Sequence, residues 1–441
     1  MSLKKADLII TDINYILTMD KSLTEFNNAD IVVKDGRIID IGKNKKDKYF
    51  GKTIIGRNKI AIPGLINTHT HAAMTLLRGY GSDNPLKVWL EEYIWPAEGK
   101  FVSYEFVKDG TQIAVYEMLR TGTTTFVDMY FYENAVADVI KQVGIRGVLS
   151  TGILDFPTPG AKTPEEGIAK TVDFINEYKN DPFVIPAIGP HAPYTCSPQT
   201  LKKAYEVSEK YDVLYHIHIA ETEFEVKTVK EKYGKTPVEH LKSVGVLSER
   251  TLAAHMVYPT DREIDILSET GVKVAHCPES NLKLASGIAP VPKMIEKGVV
   301  VGIGTDGTAS NDDLDIIGEI STAAKLHKGA TKDPTVLNAK QALLMATRWG
   351  AEALRMEDKI GSIEKGKYAD IVLIDITEPH LNPLYDPYTQ IVYSSKGNDV
   401  DTVLVGGEIK VLNKKVLSLD KGYILDRACF WEKKIKGLNG S

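Results

Sequence analysis

Apolar positions follow two different rhythms along this chain. From residue 6 to 62 they form short Val/Ile-rich runs, Leu8-Ile9-Ile10, Ile31-Val32-Val33, Ile38-Ile39 and Thr53-Ile54-Ile55, broken by turn residues. Asp35-Gly36 stands between two of these runs and favours the tight turn of a β-hairpin. The far end repeats the style in Ile371-Val372-Leu373-Ile374 and Thr402-Val403-Leu404-Val405-Gly406-Gly407-Glu408-Ile409. Neither set is large enough to bury a core alone. Residues 1–62 and 363–441 are therefore expected to build one composite β-sandwich domain, with the segment after about residue 420 packing on the surface.

Between these ends, apolar runs alternate with stretches of helical periodicity, the pattern of a parallel α/β fold. Eight strands are predicted: Ile60–Ile66, Thr124–Val127, Gly147–Ile153, Phe183–Ile188, Val213–Ile219, Thr251–Ala254, Val272–Ala275 and Val299–Ile303. Helices are predicted over Tyr104–Arg120, Pro164–Tyr178, Gln199–Tyr211 and Ile288–Lys297. Eight strand–helix units match a (β/α)8 TIM barrel, expected to occupy residues 63–362.

Active sites of that fold sit at the carboxyl ends of the strands. The polar residues there are His69 and His71, Asp128, His191, His218 with Glu221, His255, His276 and Asp306. Six of the chain's ten histidines fall on this one face. Alternate residues of a strand face the same side, so both imidazoles of Thr68-His69-Thr70-His71 point at one place. With His218 and Asp306 they make three imidazoles and one carboxylate, a donor set for a divalent transition metal. His216 competes with His218 on the fifth strand, but lies two residues deeper. A metal so bound lowers the pKa of its water from ~15.7 toward ~7. Glu221 suits the proton transfer that follows, Asp306 can accept a proton, and His255 can hydrogen-bond the hydroxide or the developing oxyanion. The fourth strand ends Gly189-Pro190-His191 with no lysine to bridge a second ion, so one metal per chain is expected.

Bulk properties narrow the partners. The net charge is −5, with acidic and basic residues mixed, which gives no electrostatic case for nucleic acid or an anionic membrane. No run approaches the ~18 apolar residues of a membrane span. The cytidine-deaminase zinc pattern is absent, so polynucleotide editing is not supported. Cys196, Cys277 and Cys429 are few and far apart, which fits a reduced, cytoplasmic compartment. A homo-oligomer, tetramer or dimer, is expected.

The motifs Pro63-Gly64-Leu65-Ile66-Asn67-Thr68-His69-Thr70-His71, His218-x-x-Glu221, Ala253-Ala254-His255 and Gly304-Thr305-Asp306-Gly307 resemble the mononuclear deaminase branch of the amidohydrolase superfamily. More narrowly, Met74-Thr75-Leu76-Leu77-Arg78-Gly79, Trp89 with Pro96-Ala97-Glu98, Gly189-Pro190-His191-Ala192-Pro193-Tyr194 and Ser280-Asn281-Leu282-Lys283-Leu284-Ala285-Ser286-Gly287 resemble the 5′-methylthioadenosine/S-adenosylhomocysteine deaminases. That resemblance implies a substrate-binding set of Glu98 on the ribose hydroxyls and His191 on the purine, with Glu221 and Asp306 at the reacting carbon. Trp89 is a further candidate, covering the base or the 5′ substituent. It implies one zinc ion, with ferrous iron as the alternative. Homologues that handle S-adenosylhomocysteine well can carry an arginine at the end of the third strand. Here Thr151 stands there, and Lys162 in the following loop is a poorer carboxylate fork. The expected reaction is hydrolytic deamination of an adenosine-type nucleoside: 5′-deoxyadenosine, 5′-methylthioadenosine, adenosine or S-adenosylhomocysteine, the small 5′ groups favoured. Deamination or dechlorination of another aromatic ring, such as guanine or a triazine, is the alternative. A non-catalytic binding protein is a remote third reading, since such descendants usually lose ligands that are all present here.

Overall fold

The structure, a computed structural model, describes residues 3–84 and 86–438, so the ends of the expected terminal segments lie outside the described residues. Two compact units are formed, Met1–Asn67 with Glu117–Thr125 and Asp315–Ser418, and Thr68–Tyr116 with Phe126–Leu314 and Leu419–Ser441.

The first unit holds a nine-stranded mixed sheet drawn from both ends of the chain. Lys59–Pro63 pairs in parallel with Lys4–Leu17 and antiparallel with Ile371–Asp375, which joins the two sets of strands. One face buries Leu8, Ile10, Ile13, Ile31, Val33, Ile371, Leu373 and Leu404 in a single apolar cluster. The other face buries Ala6, Ile9 and Val32 in a second cluster, so the continuous Val/Ile runs read from the sequence belong to strands covered on both sides. Asp35 and Gly36 have φ of 51° and 73° and turn the hairpin between Glu25–Lys34 and Arg37–Gly42. Such values define the turn whose twist matches the flanking strands.

One strand expected from sequence is in fact two. The apolar run from Ile60 to Ile66 breaks at Gly64: Lys59–Pro63 belongs to the mixed sheet and Leu65–Thr70 opens the barrel. At the junction a Cβ on residue 64 would lie 2.1 Å from Thr124 Oγ1, so only glycine fits beside that strand.

Eight parallel strands then follow in order around the barrel: Leu65–Thr70, Thr123–Tyr130, Arg146–Ile153, Val184–Pro190, Leu214–Ile219, Thr251–His255, Lys273–His276 and Val301–Ile303. Three of the four expected helices begin within a residue of where the sequence puts them; the fourth, expected from Ile288, runs only over Val291–Glu296, after Pro290. Thr163, Ser197 and Thr260 each cap a helix start by accepting a backbone N–H, and Thr260 with Glu263 forms a capping box. After the barrel the chain ends in a helix, Lys421–Lys436, fixed by Trp431 Nε1 donating to buried Asp109 at 2.7 Å. Among the described residues no helix is long and apolar enough to cross a membrane.

Candidate active site

Backbone hydrogen bonds run on past the ends of the strands and set the ring of polar residues. His191 N donates to Ile153 O, His218 N to His191 O, Met256 N to Ile219 O, Gly304 N to His276 O and Asp306 N to His69 O, all at 2.9–3.1 Å. The chain then turns through left-handed residues: Ala220, His255 and Asp306 have φ of 53°, 73° and 63°. Non-glycine residues seldom adopt this region, and those that do cluster at functional sites. Ala220 is held from both sides. Its N–H and that of Glu221 donate to separate oxygens of buried Glu225, each at 2.9 Å. Its carbonyl accepts from Val257 and Tyr258.

The imidazoles are anchored by the nitrogen that faces away from the centre. His71 Nδ1 donates to Met129 O at 2.5 Å and His218 Nδ1 to His191 O at 2.8 Å. His69 Nδ1 lies 2.9 Å from His216 Nε2, and His255 Nδ1 lies 3.0 Å from Asn281 Oδ1. Their Nε2 atoms turn inward. Those of His69 and His71 lie 3.4 and 3.2 Å from Asp306 Oδ1. The ligand atoms of His69, His71 and Asp306 lie within 4.8 Å of one another, as do those of His69, His218 and His255. Asp306 is itself oriented, Oδ2 accepting from Ser280 and Ser310 at 2.6 and 2.9 Å. Inward lone pairs with the opposite nitrogen tied to backbone or side chain are the outer-shell support of metal ligands. The residues fit a divalent cation.

Their charges fit it too. Burial pushes His69 down to about 4 and His191 to about 3, and drives His216 and His218 well below the usual imidazole range. These rings are neutral at pH 7, the form that binds metal. Burial also disfavours charge on His71, but the Asp306 carboxylate beside it raises it to about 9. Asp306 lies well below the carboxylate range, its bonds to His69 and His71 overcoming burial. His71 and Asp306 would hold a cation once the His71 proton had left, so uptake would be linked to proton release.

A cavity of about 140 Å3 opens over the cluster, reached by His71, His191, His218, His255 and Asp306 and by the carboxylates Glu98 and Glu221. Glu221 Oε2 lies 3.9 Å from His255 Nε2, and burial raises its pKa. Glu98 comes from the helix Trp95–Phe101 and accepts the Tyr130 hydroxyl at 2.7 Å. Burial pushes Glu98 up to about 7, although the Tyr130 bond favours its charged form. Trp89 lines the same cavity, its indole tied to Tyr80 O at 3.0 Å.

Thr151 departs from expectation. Ser150 Oγ bonds to Asp128 O and His216 inside the barrel, and Gly152 lines the cavity. Thr151, between them, points to the other face by strand alternation. It is not among the residues that line the cavity, whereas Gly152 and Leu154 are. His216 spends both nitrogens on His69 and Ser150, which leaves the fifth-strand lone pair to His218. Asp128 holds the chain after His71, accepting from Thr70 Oγ1 and Ala72 N.

Sequence reasoning missed Tyr130, Glu225 and Ser310, and held Ser280 and Asn281 only as part of a family motif, with no role given to either. Tyr130 shares a strand face with Asp128, and Thr222-x-x-Glu225 has the spacing of a capping box, so both left a signal. The serines and Asn281 meet their partners only through the fold.

The amidohydrolase family model matches residues 60–410. The chain belongs to the amidohydrolase family. This amidohydrolase is 50% identical over 427 residues to the 5-methylthioadenosine/S-adenosylhomocysteine deaminase of Thermodesulfovibrio yellowstonii, covering 96% of this chain and 97% of that one. It is 43% identical over 426 residues to the 5′-deoxyadenosine deaminase of Methanosarcina acetivorans, with 96% and 97% covered. A crystal structure of an adenosine deaminase from Xanthomonas campestris with bound zinc superposes with a TM-score of 0.97 at 36% identity, over 99% of this chain and 100% of that one.

The two fifth-strand histidines of this amidohydrolase should separate on substitution. His218→Ala removes an inward lone pair and should abolish tight metal binding. His216→Ala removes only the support of His69 and should weaken affinity by about 10–100-fold. Competition against a chromophoric chelator measures both; equal losses would contradict the assignment.

Proposed function

We propose that this amidohydrolase deaminates adenosine-type nucleosides by hydrolysis, converting the adenine ring to its 6-oxo form and releasing ammonia. The observation that carries the reading is one cavity holding both a candidate metal cluster and two half-buried carboxylates with different neighbours. Glu221 stands over the cluster, and Glu98 stands with Tyr130 toward the other wall. The names of the close relatives support the same chemistry.

We assign His69, His71, His218 and Asp306 to one divalent transition metal, zinc first and ferrous iron as the alternative. When bound, it supplies a water acidic enough to attack at neutral pH. Glu98 accepts the ribose diol: a carboxylate can take two hydrogen bonds from vicinal hydroxyls, which offset its burial. His191 meets the purine and Trp89 closes the wall. The water oxygen bonds to C6, Glu221 carries a proton from it to the departing amine, and the C6–N bond breaks. His255 hydrogen-bonds the attacking oxygen and the charge that develops on it. Its Nδ1 is tied to Asn281, which fixes the ring in place for this. The relatives' names extend to methylthioadenosine, S-adenosylhomocysteine and 5′-deoxyadenosine, and we propose all four nucleosides as substrates. The three free cysteines support a reducing compartment.

The test is a panel of these nucleosides with guanine as the outgroup, followed by the absorbance change on deamination. Glu221→Gln keeps the shape and removes the shuttle; it should retain metal and lose at least ~10²-fold in kcat. Turnover of guanine alone, or near-normal kcat in the variant, would refute the assignment.

Glu98 adds a pH dependence. Its burial puts the free-enzyme carboxyl at about 7, and the diol needs the ionised form. The ratio kcat/KM should therefore fall as pH drops below about 7. Glu98→Gln should flatten that limb and cost about ten- to a hundredfold in kcat/KM. An unchanged acid limb in the variant would assign it to another group.

A further inference from the structure

The cavity over the histidine cluster does not end at Glu221. Beyond it lies a second chamber of about 380 Å3, walled chiefly by Leu90, Trp95, Tyr194, Phe224, Tyr258 and Leu284. Leu90, Trp95, Tyr194, Glu221 and Leu284 line both spaces, so the two adjoin. Glu98, Tyr130 and His191 line only the inner one. The proposed ribose and purine contacts thus stay behind, and the carboxylate assigned to the leaving amine stands in the doorway.

The outer wall is aromatic and aliphatic, with Lys87, Glu91 and Glu223 charged at its lining. Phe224 is 57% exposed and meets Tyr194 edge to face, ring centroids 6.4 Å apart. Covering such a ring is favourable, and the hydrolysis of an unsubstituted amine does not use this space. An apolar cavity of ~150 Å3 already holds a benzene ring, so the chamber is large enough for a benzyl group.

We propose that the outer chamber is a subsite for an apolar group carried on the amine that leaves. The enzyme then also hydrolyses N6-alkyl and N6-benzyl adenine nucleosides, an inference that rests on the adenosine-type reading above. The bonds balance as in the parent reaction. Water oxygen bonds to C6, the C6–N6 bond breaks, and one water proton goes to N6 while the other remains on N1. The products are the 6-oxo nucleoside and a primary amine. Glu221, lining both chambers, serves a substituted nitrogen from the same position as an unsubstituted one.

The test uses the metal-loaded enzyme with adenosine, N6-methyladenosine, N6-benzyladenosine and 5′-benzylthio-5′-deoxyadenosine, the products separated by chromatography. Inosine and benzylamine should appear together from the N6-benzyl compound. Phe224→Ala should lower the N6-benzyl-to-adenosine ratio of kcat/KM by about tenfold, the low end of what a hydrophobic pocket discriminates. The 5′-benzylthio-to-adenosine ratio should hold. Adenosine turnover without benzylamine release would overturn the proposal. So would a loss in Phe224→Ala confined to the 5′-benzylthio compound, which would give the chamber to the 5′ group. Failure on every nucleoside, adenosine included, would overturn the deaminase reading itself.

Discussion

The site depends on where the outward nitrogen of each imidazole is tied. Met129 O, His191 O and Asn281 Oδ1 hold the Nδ1 atoms of His71, His218 and His255. Two of those acceptors are backbone carbonyls of the barrel's own strand ends, so the rings inherit the precision of the strand ladder. Each ring then has one tautomer and one direction. A flexible loop carrying the same histidines would have to lose that freedom on binding a cation; here it is already gone. Left-handed residues also stand at or just after three of those strand ends, Ala220, His255 and Asp306.

Burial then sorts the charges. The same dry environment lowers His69, His191 and His218 and raises Glu98 and Glu221, while Asp306 stays ionised against that burial because the imidazoles stand beside it and His71 keeps its proton there. Neutral rings and one anionic oxygen suit a cation. Carboxylates raised toward neutrality suit proton transfer and a hydrogen bond gained from substrate. One cavity thus holds an acid kept ionised beside two acids raised toward neutrality, by the neighbours of each and without any change of residue type.

Much of this was legible in the chain. His69-Thr70-His71, His218-x-x-Glu221 and Asp306 sit at ends of apolar runs, and period-two alternation fixes which of them share a face. The helix Tyr104–Arg120 and the hairpin at Asp35-Gly36 fall where composition puts them. Other features depend on contacts distant in sequence. The break at Gly64 is invisible in an unbroken apolar run, and so is the close approach of Thr124 that leaves room only for glycine there. Glu98 looks like a surface residue until Tyr130, 32 positions away, meets it in the cavity. Thr151 shows the opposite case: its place at a strand end was legible, but Gly152, one residue on, is the one that lines the cavity. Glu225 looks like an ordinary capping residue, although its carboxylate reaches back past the cap to hold Ala220 and Glu221.

X-ray absorption spectroscopy of the metal-loaded protein tests the central claim, a single ion held by inward Nε2 atoms and one carboxylate. The account predicts a shell of nitrogen and oxygen ligands at about 2.0–2.2 Å, with the outer scattering of three imidazoles. A sulfur shell at about 2.3 Å, which would bring in Cys277, contradicts it. So does a metal–metal vector at about 3.5–4 Å, the spacing of a two-metal centre.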